Sequence, residues 1–222
     1  MTERAPAAIS NAFADEMIEQ FPTTVLWRQC HDVAALNGVL AAIIRGLRDK
    51  EPNAAPGSST RGGYQTDTNF LYRDDAAVRN LQQLIYHGLQ TYLPRYFQSN
   101  LLAPPAKVES RLWGWAVIMG PGDYNMPHVH PDSHVSGVYY VEVPDLLPDE
   151  ADTDEPGGGL LFLDPRSSAS MQHLKGRRCS QSYLPTAGAL VVFPSYHMHA
   201  VFPYRCPGER ISVAFNARLT LS

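Results

Sequence analysis

Cysteine is scarce in this chain of 222 residues: Cys30, Cys179 and Cys206 are odd in number, and none stands in C-x-x-C spacing. That argues against a disulfide framework and reads as reduced, structural thiols of a cytoplasmic protein. A surplus of one charge is missing as well. Against 18 Lys and Arg stand 22 Asp and Glu, a net charge of −4, so no broad basic surface is expected and neither nucleic acid nor an anionic membrane is an expected partner. Long apolar runs are absent too; nothing approaches the roughly 20 residues of a membrane span. The mixed-charge start MTERAPAAISNAFADEM is expected to be neither signal peptide nor anchor. What remains is 44% hydrophobic and 18% charged, the composition of an ordinary globular protein. With no internal repeat and no linker that would force a split, one domain over residues 1–222 is expected.

Hydrophobic spacing predicts a helix in VAALNGVLAAIIRGLRDKEP (33–52), with a basic last turn and a proline at its end. A second helix is predicted over 74–97, where Asp74 or Asp75 caps the N-terminus and Pro94 ends or kinks the helix. The turn-rich stretch between them is either a loop over a binding site or a plain connection. From residue 108 the period becomes that of strands, in VESRLWGWAVIMGPGDY, VSGVYYVEVP, GGLLFLDP, ALVVFP and RISVAFNARL. The expected fold is mainly β: a sandwich or barrel over about 108–220, its outer face buttressed by the helices of about 1–100. The acidic segment 145–155 and the basic segment 166–178 read as solvated hairpin loops, or else as lids over a pocket mouth.

The stretch YNMPHVHPDSHVSGVYYVEVP (124–144) holds three histidines within seven positions. On a strand, residues i and i+2 point to one side, so His128 and His130 would present two imidazoles in one direction. Neutral imidazole suits Fe, Zn, Cu or Ni, and FPSYHMHAVFP (193–203) offers His197 or His199 as a third ligand. Without a metal, such a histidine pair is a surface or hydrogen-bonded core feature. Eleven residues after His199 comes Arg210, with Ser212 on the same strand face. A guanidinium grips a carboxylate through two parallel charge-assisted bonds, and a hydroxyl adds a third. An ordinary ion pair is the other reading of Arg210.

The order H-x-H, then PTAGALVVFPSYHMH, then RIS resembles the Fe(II)- and 2-oxoglutarate-dependent oxygenases. It is most similar to a bacterial branch distantly related to the prolyl hydroxylases. The matching segments, GDYNMPHVHPDSHVSGVYYVEVP, GGLLFLDPR, GALVVFPSYHMHAVFP and ERISVAFN, with a weaker echo in GGYQTDTNFLYRDDAAVRNL, span about residues 62–217. The resemblance implies a double-stranded β-helix, a jelly-roll relative with the metal inside its open end. It makes His128 the first metal-binding histidine and His199 the distal one, while His197 falls where an apolar residue is usual. Arg210 and Ser212 become the anchor for the distal carboxylate of 2-oxoglutarate, with Tyr124 a further candidate for that carboxylate. The implied activity is a dioxygenase, a hydroxylase that turns 2-oxoglutarate and dioxygen into succinate and CO2. Its target would be an unactivated C–H of an amino acid, a peptide or protein side chain, or a small metabolite. Tyr64, Gln65, Asn69 and the 145–158 loop are expected to cover the mouth and select that substrate.

His130 stands where most of the superfamily carries an aspartate, although the H-x-H-P pattern resembles that of the bacterial branch. A neutral ligand raises the charge of the protein–metal unit by one, which favours a dianionic co-substrate. Asp132 could supply the missing carboxylate, His134 could be a fourth ligand, or the site could be a three-histidine zinc site. A cupin is the rival of the same architecture. Gly122, with five residues between it and His128, fits the cupin spacing, but His134 stands where the cupin glutamate belongs, and Arg210 and Ser212 have no role there. A non-catalytic metal- or ligand-binding β-barrel is a third reading. Exposed strand edges of such barrels often pair, which would make a homodimer.

Overall fold

The structure, a computed structural model, describes residues 17, 20–52, 59–101, 103, 105–151, 156–171, 175, 176 and 179–222. The expectations for the first 16 residues, for 53–58 and for 152–155, 172–174, 177 and 178 of the charged segments lie outside the described residues. In chain order the elements are β1 (Leu26–Gln29), α1 (Ala34–Lys50), β2 (Thr60–Arg61), β3 (Tyr64–Gln65), α2 (Ala76–Asn100), β4 (Val108–Met119), β5 (Tyr124–His128) and β6 (Val135–Glu142). There follow α3 (Pro148–Ala151), β7 (Leu160–Leu163), β8 (Ser180–Tyr183), β9 (Ala189–Pro194), β10 (His199–Val201) and β11 (Arg210–Leu221).

The strands form two antiparallel sheets, a major one in the order β1-β9-β6-β11-β4-β3 and a minor one in the order β2-β5-β10-β7-β8. From β4 onward the chain visits them as major, minor, major, minor, minor, major, minor, major. That alternation is the double-stranded β-helix. Strand periodicity then assigns each residue a side. Along β11, Ile211, Val213, Phe215 and Ala217 join the core beneath the helices, while Arg210, Ser212 and Ala214 line a cavity between the sheets.

Leu40 and Ile44 of α1 and Val78, Leu81, Ile85 and Leu89 of α2 close over the outer face of the major sheet, each 2% exposed or less. Full burial of such a side chain is worth about 1.5–3 kcal/mol, so the helices are held by the sheet rather than by intrinsic propensity. A polar clamp fixes α1 in register: Arg45 reaches Glu209 and Glu142, both at 2.8 Å, and Arg48 also reaches Glu209. The clamp seizes β11 at the residue before Arg210.

Of the two outcomes expected at Pro94, an end or a kink, the helix does not end there: α2 runs on to Asn100. The proline removes one N–H, but Tyr92 and Phe97 on either side of it are both buried and hold the turn in place. Asp75 stands at the N-cap of α2 without capping it, because its carboxylate accepts from Arg73 Nε at 3.0 Å instead.

Candidate functional site

β10 lies between β5 and β7 in the minor sheet, with His199 opposite His128 and Val201 opposite Asn125. Two steps along β10 therefore face three along β5, a β-bulge. The extra residue shifts the parity of side-chain alternation, and both Asn125 and His128 face the cavity. β5 ends at His128. His130 sits beyond the strand, placed by its backbone N–H on Ser195 O at 3.0 Å. His130 thus follows His128 by two residues just past the strand end, ahead of the turn that begins at Pro131, and both imidazoles reach the same cluster.

Nitrogens of His128, His130 and His199 all lie within 4.8 Å of one another, the one such cluster among the described residues. His128 Nδ1 donates to Met126 O at 2.7 Å and His199 Nδ1 to His197 O at 2.9 Å. A carbonyl only accepts, so both rings carry their proton on Nδ1 and keep Nε2 as the lone-pair nitrogen. Burial holds all three rings below the usual histidine range, with the neighbouring His128 adding to the effect on the other two. His130 is pushed down to about 4 and His199 to about 3. Three neutral imidazoles are the form a metal requires.

Burial of these rings has a consequence for the metal-free protein. The unfolded chain takes up a proton on His199 near pH 6.5, and the folded one only near 3. Stability is therefore complete above 6.5 and is lost as the pH falls below it. For His199 the loss amounts to about 2 kcal/mol by pH 5. Thermal melts of the metal-free protein are expected to give a lower Tm at pH 5 than at pH 7, with a smaller drop in His199→Asn.

The cavity that holds the histidine cluster, about 360 Å³, is also lined by Arg210 and Ser212. Arg210 is 3% exposed. Its Nη1 donates to Gly158 O and its Nη2 meets Met119 Sδ, both at 2.8 Å, while Nε is buried with no partner. Among the described residues no carboxylate pairs with it, and burial lowers its pKa, so the ordinary ion-pair reading does not hold. A buried, unneutralised guanidinium is costly unless an anion completes it. The ring of Tyr140 lies 6.0 Å from its Cζ.

Residues 114–216 match the family described as "Putative 2OG-Fe(II) oxygenase". No curated protein matches the chain by sequence. Among solved structures, a prolyl-4-hydroxylase from Pseudomonas putida is 23% identical with a TM-score of 0.54, over 87% of this chain and 91% of that one. A prolyl hydroxylase from Trichoplax adhaerens, solved with a hypoxia inducible factor peptide fragment, is 12% identical with a TM-score of 0.57, over 87% and 83%. HygX from Streptomyces hygroscopicus, solved with nickel, 2-oxoglutarate and hygromycin B, is 13% identical with a TM-score of 0.51, over 88% and 83%. At these identities the likeness establishes the double-stranded β-helix and leaves the site to be argued from its own residues.

Within the oxygenase-like segment the expected residues divide clearly. His199 joins the cluster and His197 does not. The His197 ring stacks on Phe162 with 4.6 Å between centroids, and its Nε2 donates to Leu163 O at 3.1 Å. His134 is not a fourth ligand, because its Nδ1 accepts the backbone N–H of Leu219 at 2.9 Å. Asp132 is exposed beside Arg218. Tyr124 is 39% exposed and lines no part of the cavity; the bulge gives its expected place to Asn125. At the mouth, Gln65 lines the cavity, but Tyr64 turns into the helix-side core and Asn69 lies elsewhere. No described residue of 145–158 lines the cavity. Two of its described residues lie on the Arg210 side instead: buried Glu150 accepts the N–H groups of Arg205 and Cys206, and Gly158 O holds the guanidinium. Tyr140, Trp115 and Asn125 also line the cavity, and sequence reasoning had not singled them out. Adjacent Tyr139 and Tyr140 look alike in sequence, and only strand pairing shows which one faces inward. No helix among the described residues is long and apolar enough to cross a membrane.

Proposed function

We propose that this chain is an Fe(II)- and 2-oxoglutarate-dependent dioxygenase that hydroxylates an unactivated C–H group. The observation that carries the reading is Arg210, a buried guanidinium without an anion partner among the described residues, lining the same cavity as three neutral imidazoles. The donor set fits the group it would hold: His128, His130 and His199 offer lone-pair nitrogens to the metal. When bound, Fe(II) activates dioxygen, and the oxidation of 2-oxoglutarate to succinate and CO2 drives hydroxylation of the substrate. Arg210, with Ser212 beside it on the strand face, anchors the distal carboxylate of the co-substrate. His130, neutral where an aspartate is usual, leaves the site one unit more positive and so strengthens its hold on a dianion. Phe193, Leu160 and Val201 line the cavity with apolar surface and limit the entry of water.

An amino acid, a peptide or protein side chain, and a small metabolite all suit this architecture; similar structures hold a peptide fragment in one case and hygromycin B in another. We read the enzyme as cytoplasmic, a reading that its free cysteines support. A cupin reading leaves Arg210 without a task. The deciding experiment is succinate formation by protein loaded anaerobically with Fe(II), with metal content measured on the same sample. Turnover of 2-oxoglutarate, coupled or uncoupled to substrate, is expected. Its absence across a broad substrate panel would favour the cupin or binding-protein reading, and a preparation that takes up only zinc would favour the three-histidine zinc site.

A further inference from the structure

On the wall of the cavity, two carboxamides share a single hydroxyl. Asn125 Nδ2 donates to Ser59 Oγ at 3.2 Å and to Thr60 Oγ1 at 3.1 Å, and Thr60 Oγ1 donates to Gln65 Oε1 at 3.1 Å. Ser59, Gln65 and Asn125 all line the cavity. Thr60 Oγ has one hydrogen to give, so the relay has a direction. In the direction shown, both Asn125 amide hydrogens are engaged and Oδ1 is left as an acceptor. Gln65 Oε1 is engaged and its NH2 is left as a donor. Reversing both amides reverses the relay: Asn125 then keeps its NH2 and Gln65 its Oε1. Either way the wall presents one acceptor and one donor, carried by two heads that meet at the same hydroxyl.

The rest of the lining sharpens the match. Apart from the histidine cluster, Arg210 is the only ionisable Asp, Glu, Lys or Arg side chain among the described residues of the cavity wall. With 2-oxoglutarate engaging Arg210, a substrate carboxylate or ammonium entering beside Asn125 and Gln65 would be desolvated without a counter-charge of its own. Trp115 supplies an aromatic wall, 5.8 Å from the His130 ring. An adjacent donor and acceptor complement a group that carries C=O and N–H on one edge. A primary carboxamide or a lactam does so, whereas a trans peptide bond points the two in opposite directions. We propose that Asn125 and Gln65 recognise a primary carboxamide or lactam edge on an otherwise uncharged substrate. The proposal rests on the oxygenase reading for the fate of that substrate, but the recognition itself can be tested by binding.

The test uses the full chain loaded with zinc and saturated with 2-oxoglutarate, and saturation-transfer NMR with benzamide, N-methylbenzamide, benzoate and benzylamine at millimolar concentration. Benzamide is expected to bind about five- to tenfold more tightly than the other three, the range set by one neutral hydrogen bond. Gln65→Glu, which leaves two acceptors, should erase that preference and favour benzylamine. Thr60→Val, which breaks the relay at nearly constant shape, should bring benzamide and N-methylbenzamide together. Equal binding of the four probes by the native chain, no benzamide signal, or an unchanged ranking in Gln65→Glu overturns the proposal. Binding of 2-oxoglutarate is followed by thermal shift on the same samples. If it fails, the oxygenase reading falls on its own account, whatever the amide probes show.

Discussion

Replacing Arg210 with methionine is expected to raise the stability of the ligand-free protein while removing most of its response to 2-oxoglutarate. Both effects come from one feature, a buried guanidinium whose charge nothing in the described structure neutralises. Its present partners are a carbonyl and a thioether, at 2.8 Å each, and neither compensates for lost hydration. Substitution of buried charges by apolar residues of similar volume commonly stabilises by about 1–4 kcal/mol. Here the gain is reduced by the donor that Gly158 O loses, about 1 kcal/mol. With 2-oxoglutarate the order inverts. A bidentate charged contact is worth about 2–3 kcal/mol, so affinity should fall about 30- to 150-fold. At a ligand concentration 100 times its dissociation constant the native chain gains about 2.7 kcal/mol, and at that same concentration the variant should gain only about 0.3–0.9 kcal/mol. Two melting curves per protein, with and without 2-oxoglutarate, check both arms. A variant less stable than the native chain without ligand, yet equally stabilised by it, would remove Arg210 from the co-substrate site.

Arg210 also shows how much was legible beforehand. Its type and its spacing from His199 pointed to an anion site, since strand period alone puts Arg210 and Ser212 on one side. What decides between an anion site and an ion pair is the absence of a carboxylate neighbour, and neighbours across 50 residues of chain are not written locally. The α1 helix fell within a residue or two of its predicted limits because a single apolar stripe and Pro52 bound it. At Pro94 the local sequence left the helix to end or to kink, and the buried aromatic residues around it carry α2 on to Asn100. β8, Ser180–Tyr183, has no apolar alternation and exists because β7 pairs with it in register. The bulge in β5 was invisible for the same reason. Counting by twos from His128 leads to Tyr124. Only the pairing with β10 shows the extra residue that puts Asn125 inside, and with it the polar wall on which substrate recognition depends.

Within the histidine cluster, His199→Ala is expected to cost more metal affinity than His130→Ala. The cluster is not symmetric. His199 is 5% exposed, its Nδ1–H is held by His197 O, and the Phe193 ring lies 4.7 Å from its own. Its Nε2 is therefore aimed before any metal arrives, and the entropy of placing it has already been lost in folding. His130 is half-buried, stands beyond the end of β5, and is placed by its backbone; among the described residues no hydrogen bond reaches its ring. Losing even the bond that orients a ligand commonly costs 10–100-fold in affinity, so losing the preorganised ligand itself should exceed about 100-fold for His199. At His130 a water molecule can take the vacated position from the open side of the cavity, and a loss of about tenfold is expected. Competition with a chelating dye, using Co(II) or Zn(II) at pH 7.5, measures both constants. Equal losses would mean that preorganisation does not rank these ligands, and unchanged binding in His199→Ala would remove β10 from the metal site. His130→Asp separates charge from geometry: it should keep the metal but weaken 2-oxoglutarate binding, because the anion would then meet a site one unit less positive.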